Sequence, residues 1–210
     1  ASIDSTSRWL VGSSSRRRLA PESIIIASAT RARSPPESVS PVRRTSSPEK
    51  PPDRAIEIPR PLDTKIKIAA KVDRADQAYF DAVVKPLLRD PHVEFLGEIG
   101  EHEKQELLGN ALALLFPIDW PEPFGLAMIE ALACGTPVIA FGHGSVPEVI
   151  DHGVTGFVVN DIDEAVSAAH RAWSLSRRRC REAFEQRFTA ARMARQYVAA
   201  YERSSQRRIA

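Results

Sequence analysis

The chain has 210 residues, 43% of them hydrophobic and 27% charged, which is enough for one generous domain with a buried core and excludes a collagen-like, wholly disordered or disulfide-stapled protein. The net charge of +2 conceals a division: residues 1–50 carry nine Lys/Arg against four Asp/Glu, residues 51–170 nine against twenty, and residues 171–210 eleven against three. The acidic middle argues against specific nucleic-acid binding by the folded part. The basic ends read first as solvated faces and only second as surfaces for peripheral contact with an anionic membrane.

Residues 1–45 are dominated by Ser, Arg and Pro, as in Ser13-Ser14-Ser15-Arg16-Arg17-Arg18, and show no sustained period of 2 or 3.6. Such a composition buries too little apolar surface to offset chain entropy, so a disordered tail is expected there. Its short apolar patch at 24–26 is flanked by Ser and Arg and lacks the long hydrophobic region of a secretory signal. The folded domain is expected over 46–210. Residues 65–72 read as a buried strand, followed by a helix over 76–88 with Phe80, Val83, Val84, Leu87 and Leu88 at helical spacing.

Strand 92–96, helix 101–110 and the wholly apolar strand 111–117 follow. A helix over 124–134 is stopped by Gly135 in the place of a left-handed cap. Strands at 137–141 and 156–159 enclose a helix starting near Pro147, and a last helical region runs from 163 to about 204. Strands alternating with helices predict an α/β domain, a single Rossmann-like, doubly wound parallel sheet with C-terminal helices, because parallel neighbours need crossover connections. In such sheets ligands lie beyond the carboxyl ends of the strands, so 95–99, 116–124 and 141–145 are expected to converge on one crevice.

No apolar run reaches the roughly 18–20 residues of a membrane span, the longest candidates being 111–118 and the broken stretch 126–141. Cys134 and Cys180 are too few for a disulfide framework, and His92, His102, His143, His152 and His170 have no metal-ligand spacing. A cytoplasmic protein without a metal centre is the expectation.

The stretch 121–132 carries the chemistry. Pro123 suits a first helical turn, Gly125 admits close approach of a bound group to the backbone, and the amides of Phe124, Gly125 and Leu126 sit where a helix start offers an anion site. The same residues read equally as a plain helix start capped by Glu122. Glu130 is the one charge in an otherwise apolar helix, which predicts a buried carboxylate in need of donors, supplied by protein groups or by ligand hydroxyls. Gly142-His143-Gly144-Ser145 reads as a sharp turn, and Asp119-Trp120 as a rim or a sugar platform. Ser145 has no base in an elbow motif, which leaves serine hydrolysis without support.

Glu122-Pro123-Phe124-Gly125-Leu126 followed by Glu130-Ala131-Leu132-Ala133-Cys134-Gly135-Thr136-Pro137-Val138-Ile139-Ala140 resembles the donor-site signature of the retaining, GT-B-fold glycosyltransferases of family 4, the glycosyl transferases group 1. Gly144-Ser145-Val146-Pro147-Glu148-Val149-Ile150, Gly153-Val154-Thr155-Gly156-Phe157-Val158-Val159, Val93-Glu94-Phe95-Leu96-Gly97 and Ser47-Pro48-Glu49-Lys50 are similar to further segments of that family, so the resemblance covers about 46–201. It implies the C-terminal half of a GT-B fold and a nucleotide-sugar ligand. By resemblance Glu122 contacts hydroxyls of the donor sugar, and the amides of Phe124, Gly125 and Leu126 hold sugar and diphosphate. Glu130 accepts from the ribose hydroxyls, Ile99 lies near the base, and Lys50 pairs with the diphosphate. No metal is implied, since cationic side chains and helix dipoles neutralise the leaving group.

The sequence also departs from that pattern. Arg44 and Thr45 stand where the family has Gly-Arg, Pro51 replaces the Gly after Lys50, and Pro59 and Pro61 fall where a first helix continues. A damaged first β-α unit is therefore expected, in a truncated or frame-disrupted glycosyltransferase whose acceptor-binding domain is missing and whose activity is in doubt. Phe184, Phe188, Met193, Tyr197, Val198 and Tyr201 resemble the family's closing helices, whose apolar face would then be exposed and favour self-association. A non-catalytic nucleotide-sugar-binding module and an Arg-rich interaction protein are the alternative readings.

Overall fold

A computed structural model of the protein describes residues 23–27, 56, 58, 64–72, 74, 77–118 and 121–206. Among the described residues six strands, β1 (Ser23–Ala27), β2 (Lys65–Ala69), β3 (Val93–Gly97), β4 (Ala113–Phe116), β5 (Val138–Phe141) and β6 (Gly156–Val159), form one sheet. Their spatial order is β3-β2-β1-β4-β5-β6, and every pairing is parallel. The order reverses between β1 and β4, which is where a doubly wound sheet opens its ligand crevice.

The strands read as continuous apolar runs because both faces of the sheet are covered. Ala113, Leu115, Ile139 and Phe141 point to one face and pack with Phe157, Val159 and the alanines Ala165, Ala168, Ala169 and Ala172 of the helix Ile162–Ala172. Their neighbours Leu114, Phe116, Val138 and Ala140 point to the other face, against Leu108, Met128, Ile129, Leu132 and Cys180. Removing an Ile or Leu side chain of this kind from water contributes about 1.5–3 kcal/mol, so the two layers hold the sheet from both sides.

Helix α1 covers 77–87 and is irregular: single α turns at Gln77–Tyr79 and Lys85–Leu87 flank a wider π segment at Phe80–Val84. Pro86 has no N–H to offer the preceding turn, and the amide of Lys85 instead reaches the carbonyl of Phe80, five residues back. Helices α2 (Glu101–Asn110), α3 (Leu126–Ala133), α4 (Val146–Val149) and α5 (Ile162–Ala172) follow in the expected places. The single helical region expected over 163–204 is divided: α5 ends at Ala172, α6 spans Arg177–Arg187 and α7 spans Ala190–Gln206. Ser176 restarts the chain as an N-cap by accepting from the amide of Arg179.

The expectation of a structureless segment over 1–45 is corrected at residues 23–27. These form the strand that joins the two halves of the sheet, with Ile24 opposite Ile66 on one side and Ala113 on the other. Ile24 and Ile25 are fully buried, as are Ile56 and Ile58 in the unit expected to be damaged. Three consecutive isoleucines among Ser and Arg give no period to read; only the two long-range pairings give them a place. The other positions of 1–45, Arg44 and Thr45 among them, lie outside the described residues, as do Pro51, Pro59 and Pro61 of the unit expected to be damaged. Among the described residues no helix is long and apolar enough to cross a membrane.

Candidate functional site

A cavity of about 180 Å³ opens at the carboxyl ends of β2 and β3. Ile25, Ala69 and Ala70 give it an apolar wall, Gly97, Glu98 and Ile99 enter from the end of β3, Lys104 and Leu107 from α2, and Ala127 and Glu130 from α3. Two charge pairs border it. Lys71 faces Glu98 at 3.6 Å with both side chains largely exposed, whereas Lys104 Nζ donates to Glu130 Oε1 at 2.8 Å across the gap between α2 and α3.

Lys104 also donates to Glu101 Oε1 at 2.8 Å, so one ammonium links two carboxylates. Its partial burial alone would lower the ammonium pKa, but the bonds to Glu101 and Glu130 outweigh that and raise it above the ordinary lysine value. The cation is therefore secure at neutral pH. The stabilisation is fully present below the unfolded lysine pKa of about 10.4 and is lost as pH rises through the raised folded value.

The start of α3 forms a second corner. Gly125 adopts φ 74° and ψ 56°, the left-handed region, and is buried. Its amide donates to Glu122 Oε1 at 3.2 Å, so Glu122 closes the turn from below. The loop after β5 packs directly on this turn: the amide of Ser145 donates to the carbonyl of Glu122 at 2.8 Å. At Gly144, φ 57°, a Cβ would stand 2.4 Å from the backbone nitrogen and oxygen of Glu122. Ser145 Oγ is buried without a hydrogen-bond partner among the described residues. A Cβ on Gly125 would lie 3.5 Å from it. The amides of Phe124 and Leu126 have no acceptor among the described residues, and both side chains are exposed.

The sequence expectations map onto these two corners. Ile99 and Glu130 line the same cavity, and Glu122, Phe124, Gly125 and Leu126 stand together at the start of α3. Of the three segments expected to converge on one crevice, 116–124 and 141–145 meet through Glu122, Gly144 and Ser145, whereas 95–99 lines the cavity without either of them. Lys50, Asp119 and Trp120 lie outside the described residues. Glu130 corrects the expectation of a buried carboxylate, because its side chain is 39% exposed at the mouth of the cavity. The helix is apolar all round in sequence, yet Leu126 and Glu130 occupy its open side. Lys104, which the motif does not include, joins the site through its bond to Glu130. The signal for it was the lone acid in α3, which demanded a donor that no neighbour in sequence could provide.

The strand order 3-2-1-4-5-6 with a crevice beyond the strand ends is that of a Rossmann-like domain, of the kind that makes up one half of a GT-B fold. Solved structures of that class superpose on it. Sucrose-phosphate synthase from Thermosynechococcus elongatus has TM-score 0.68 and 23% identity, over 90% of this chain and 47% of that one. HepE of Anabaena, in complex with UDP-glucose, has TM-score 0.65 and 19% identity, over 86% and 48%. Residues 46–189 match the glycosyl transferases group 1, and the chain belongs to that family. N-acetyl-alpha-D-glucosaminyl L-malate synthase of Bacillus anthracis is 32% identical over 131 residues, which are 57% of this chain and 32% of that protein. The chain thus spans about a third of the length of that curated relative and about half of the solved ones.

Proposed function

We propose that the domain binds a nucleoside-diphosphate sugar and acts as the donor half of a glycosyltransferase that moves a hexosyl group with retention of configuration. One observation carries this reading: Ile99 beyond β3 and Glu130 on α3, distant in sequence, line a single cavity whose walls, Ile25 apart, come from the segment that matches the family. Its volume of about 180 Å³ is below the roughly 300–1,000 Å³ of whole-ligand clefts, which suits the nucleoside part, with diphosphate and sugar extending toward the start of α3.

In this reading Ile99 packs against the base and Glu130 accepts from the ribose hydroxyls. The amides of Phe124 and Leu126 face diphosphate and sugar oxygens, aided by the positive end of α3, while the Gly125 N–H stays on Glu122 and holds the turn between them. Glu122 accepts from a sugar hydroxyl, through the oxygen that its bond to Gly125 leaves over. Lys50 is assigned to the diphosphate by family resemblance. No metal is required, because these donors offset the charge on the leaving diphosphate. Transfer with retention proceeds on one face of the sugar: the acceptor oxygen bonds to the anomeric carbon, the bond to the diphosphate breaks, and the leaving phosphate takes the acceptor proton. The cytoplasm is the compartment that goes with this reading.

Isothermal titration of the chain with UDP-, GDP- and ADP-sugars tests the proposal. Binding of one of them is expected, weakened about tenfold or more by Glu130→Ala, the order of a lost charge-assisted hydrogen bond. Absence of binding throughout, or equal binding by the variant, would refute it. Self-association through Met193, Tyr197, Val198 and Tyr201, all exposed on α7, is proposed alongside. Sedimentation of Tyr197→Arg against the parent chain decides that point, the variant being expected as monomer.

A further inference from the structure

The pair between Lys104 and Glu130 is more than a tie between helices. Helix α2 is already docked without it: Leu108 is buried in the core, its carbonyl accepts from Thr136 Oγ1 at 2.6 Å, and Arg177 donates to the carbonyls of Gly109 at 2.8 Å and Ala111 at 2.6 Å. The pair instead sits at the mouth of the cavity, with side chains 28% and 39% exposed, and both of its members line that cavity. Only Oε1 of Glu130 is engaged; Oε2 has no partner among the described residues. The comparable pair on the opposite flank, Lys71 with Glu98, is longer at 3.6 Å and more exposed on both sides, so it fixes neither side chain firmly.

We propose that Lys104 is a positioning residue for ligand binding: its ammonium fixes one carboxylate oxygen of Glu130 and thereby presents the other to a vicinal diol in the cavity. Lys104 is in turn anchored from its own helix by Glu101, so the carboxylate is gripped by a cation that is itself held. A glutamate has three side-chain torsions, and a ligand that had to order them would bind more weakly than one that met them already ordered. The inference deepens the donor-site reading and rests on it, with the ribose of the nucleotide as the diol.

The test is calorimetry on the whole chain with UDP, GDP and ADP, taking the tightest of the three and its 2′,3′-dideoxy counterpart. Lys104→Met is expected to weaken the ribonucleotide about tenfold, within the range measured for coupled neighbours, and to leave the dideoxy compound unchanged. Lys104→Arg is expected to recover most of the loss, and Lys104→Met with Glu130→Gln to bind no worse than Glu130→Gln alone. Ribonucleotide affinity untouched in Lys104→Met would overturn the proposal, as would an equal loss for both compounds. Should Lys104→Met fold poorly by circular dichroism, Lys104→Gln makes the same comparison, keeping a donor without the charge. If the parent chain binds none of the nucleotides, or Glu130→Gln binds them normally, the donor-site reading falls and takes this one with it. A loss in Glu130→Gln without one in Lys104→Met sinks the positioning role alone.

Discussion

The two acids at either end of the α3 segment are held in opposite ways. Glu122 belongs to a corner made of backbone: a left-handed glycine donates to its carboxylate, and the Ser145 amide and the Gly144 backbone close on its own peptide. Glu130 belongs to a corner made of side chains, where an ammonium from another helix meets it at the rim of a cavity. The first has almost no freedom to change shape, while the second can be retuned by one substitution. A backbone corner suits groups that must keep one geometry, and a side-chain corner suits a contact whose strength varies with what enters.

The sharpest way to break this contrast is Gly144→Ala. The new Cβ would meet the Glu122 backbone at 2.4 Å at a φ of 57°, so the 142–145 loop must lift and the Ser145 to Glu122 bond must break. A loss of about 3 kcal/mol is expected from strain and the lost bond together, read by urea denaturation. A loss below about 0.5 kcal/mol, the scale of an ordinary surface change, would show the loop to be slack.

Removing the other corner is expected to matter less for the fold. Both partners of the Lys104–Glu130 pair are partly exposed, so Lys104→Met should change stability by no more than about 1 kcal/mol, with the difference from the parent shrinking in high salt. A large effect that ignores salt would mean the pair carries the packing of α2, against the role assigned to Leu108 and Arg177. Glu122→Gln lies lower still: its amide oxygen can take the Gly125 N–H as the carboxylate does, and a shift within about 0.5 kcal/mol is expected in thermal unfolding.

The same contrast explains what was legible beforehand. The stretch from β4 to β5 could be read because its signals are local: apolar runs, a glycine stop at Gly135 with φ 71°, and two acids eight positions apart, Glu122 before the helix and Glu130 on it. Strand β1 could not, since Ile24 is defined by partners at 66 and 113 and by nothing beside it in sequence. Lys104 failed for a similar reason, being 26 residues from Glu130 on a helix whose charges look like a solvated face. The exposure of Glu130 is not legible in sequence, because an apolar helix suggests burial on every side and only the placement of α3 along the crevice reveals which side remains open.

The smallest expected effect reads the side-chain corner without any ligand. Cys134 lies one turn beyond Glu130, and its thiol pKa is raised, first by burial; Glu130 pushes it further up, while Arg181, Arg177 and Lys104 pull it down. Neutralising Glu130 by Glu130→Gln removes an upward influence, so more thiolate is present at mildly alkaline pH and alkylation by iodoacetamide speeds up. Lys104→Met removes a downward influence and should slow it. Shifts of up to about half a pKa unit, or roughly threefold in rate, are the scale for charges in a screened setting. Mass spectrometry assigns the label to Cys134, since burial holds the Cys180 thiol at about 11. Opposite changes in the two variants would mark the corner as electrostatic in origin; equal changes in one direction would instead indicate that the end of α3 has moved, and the contrast between the two acids would have to be abandoned.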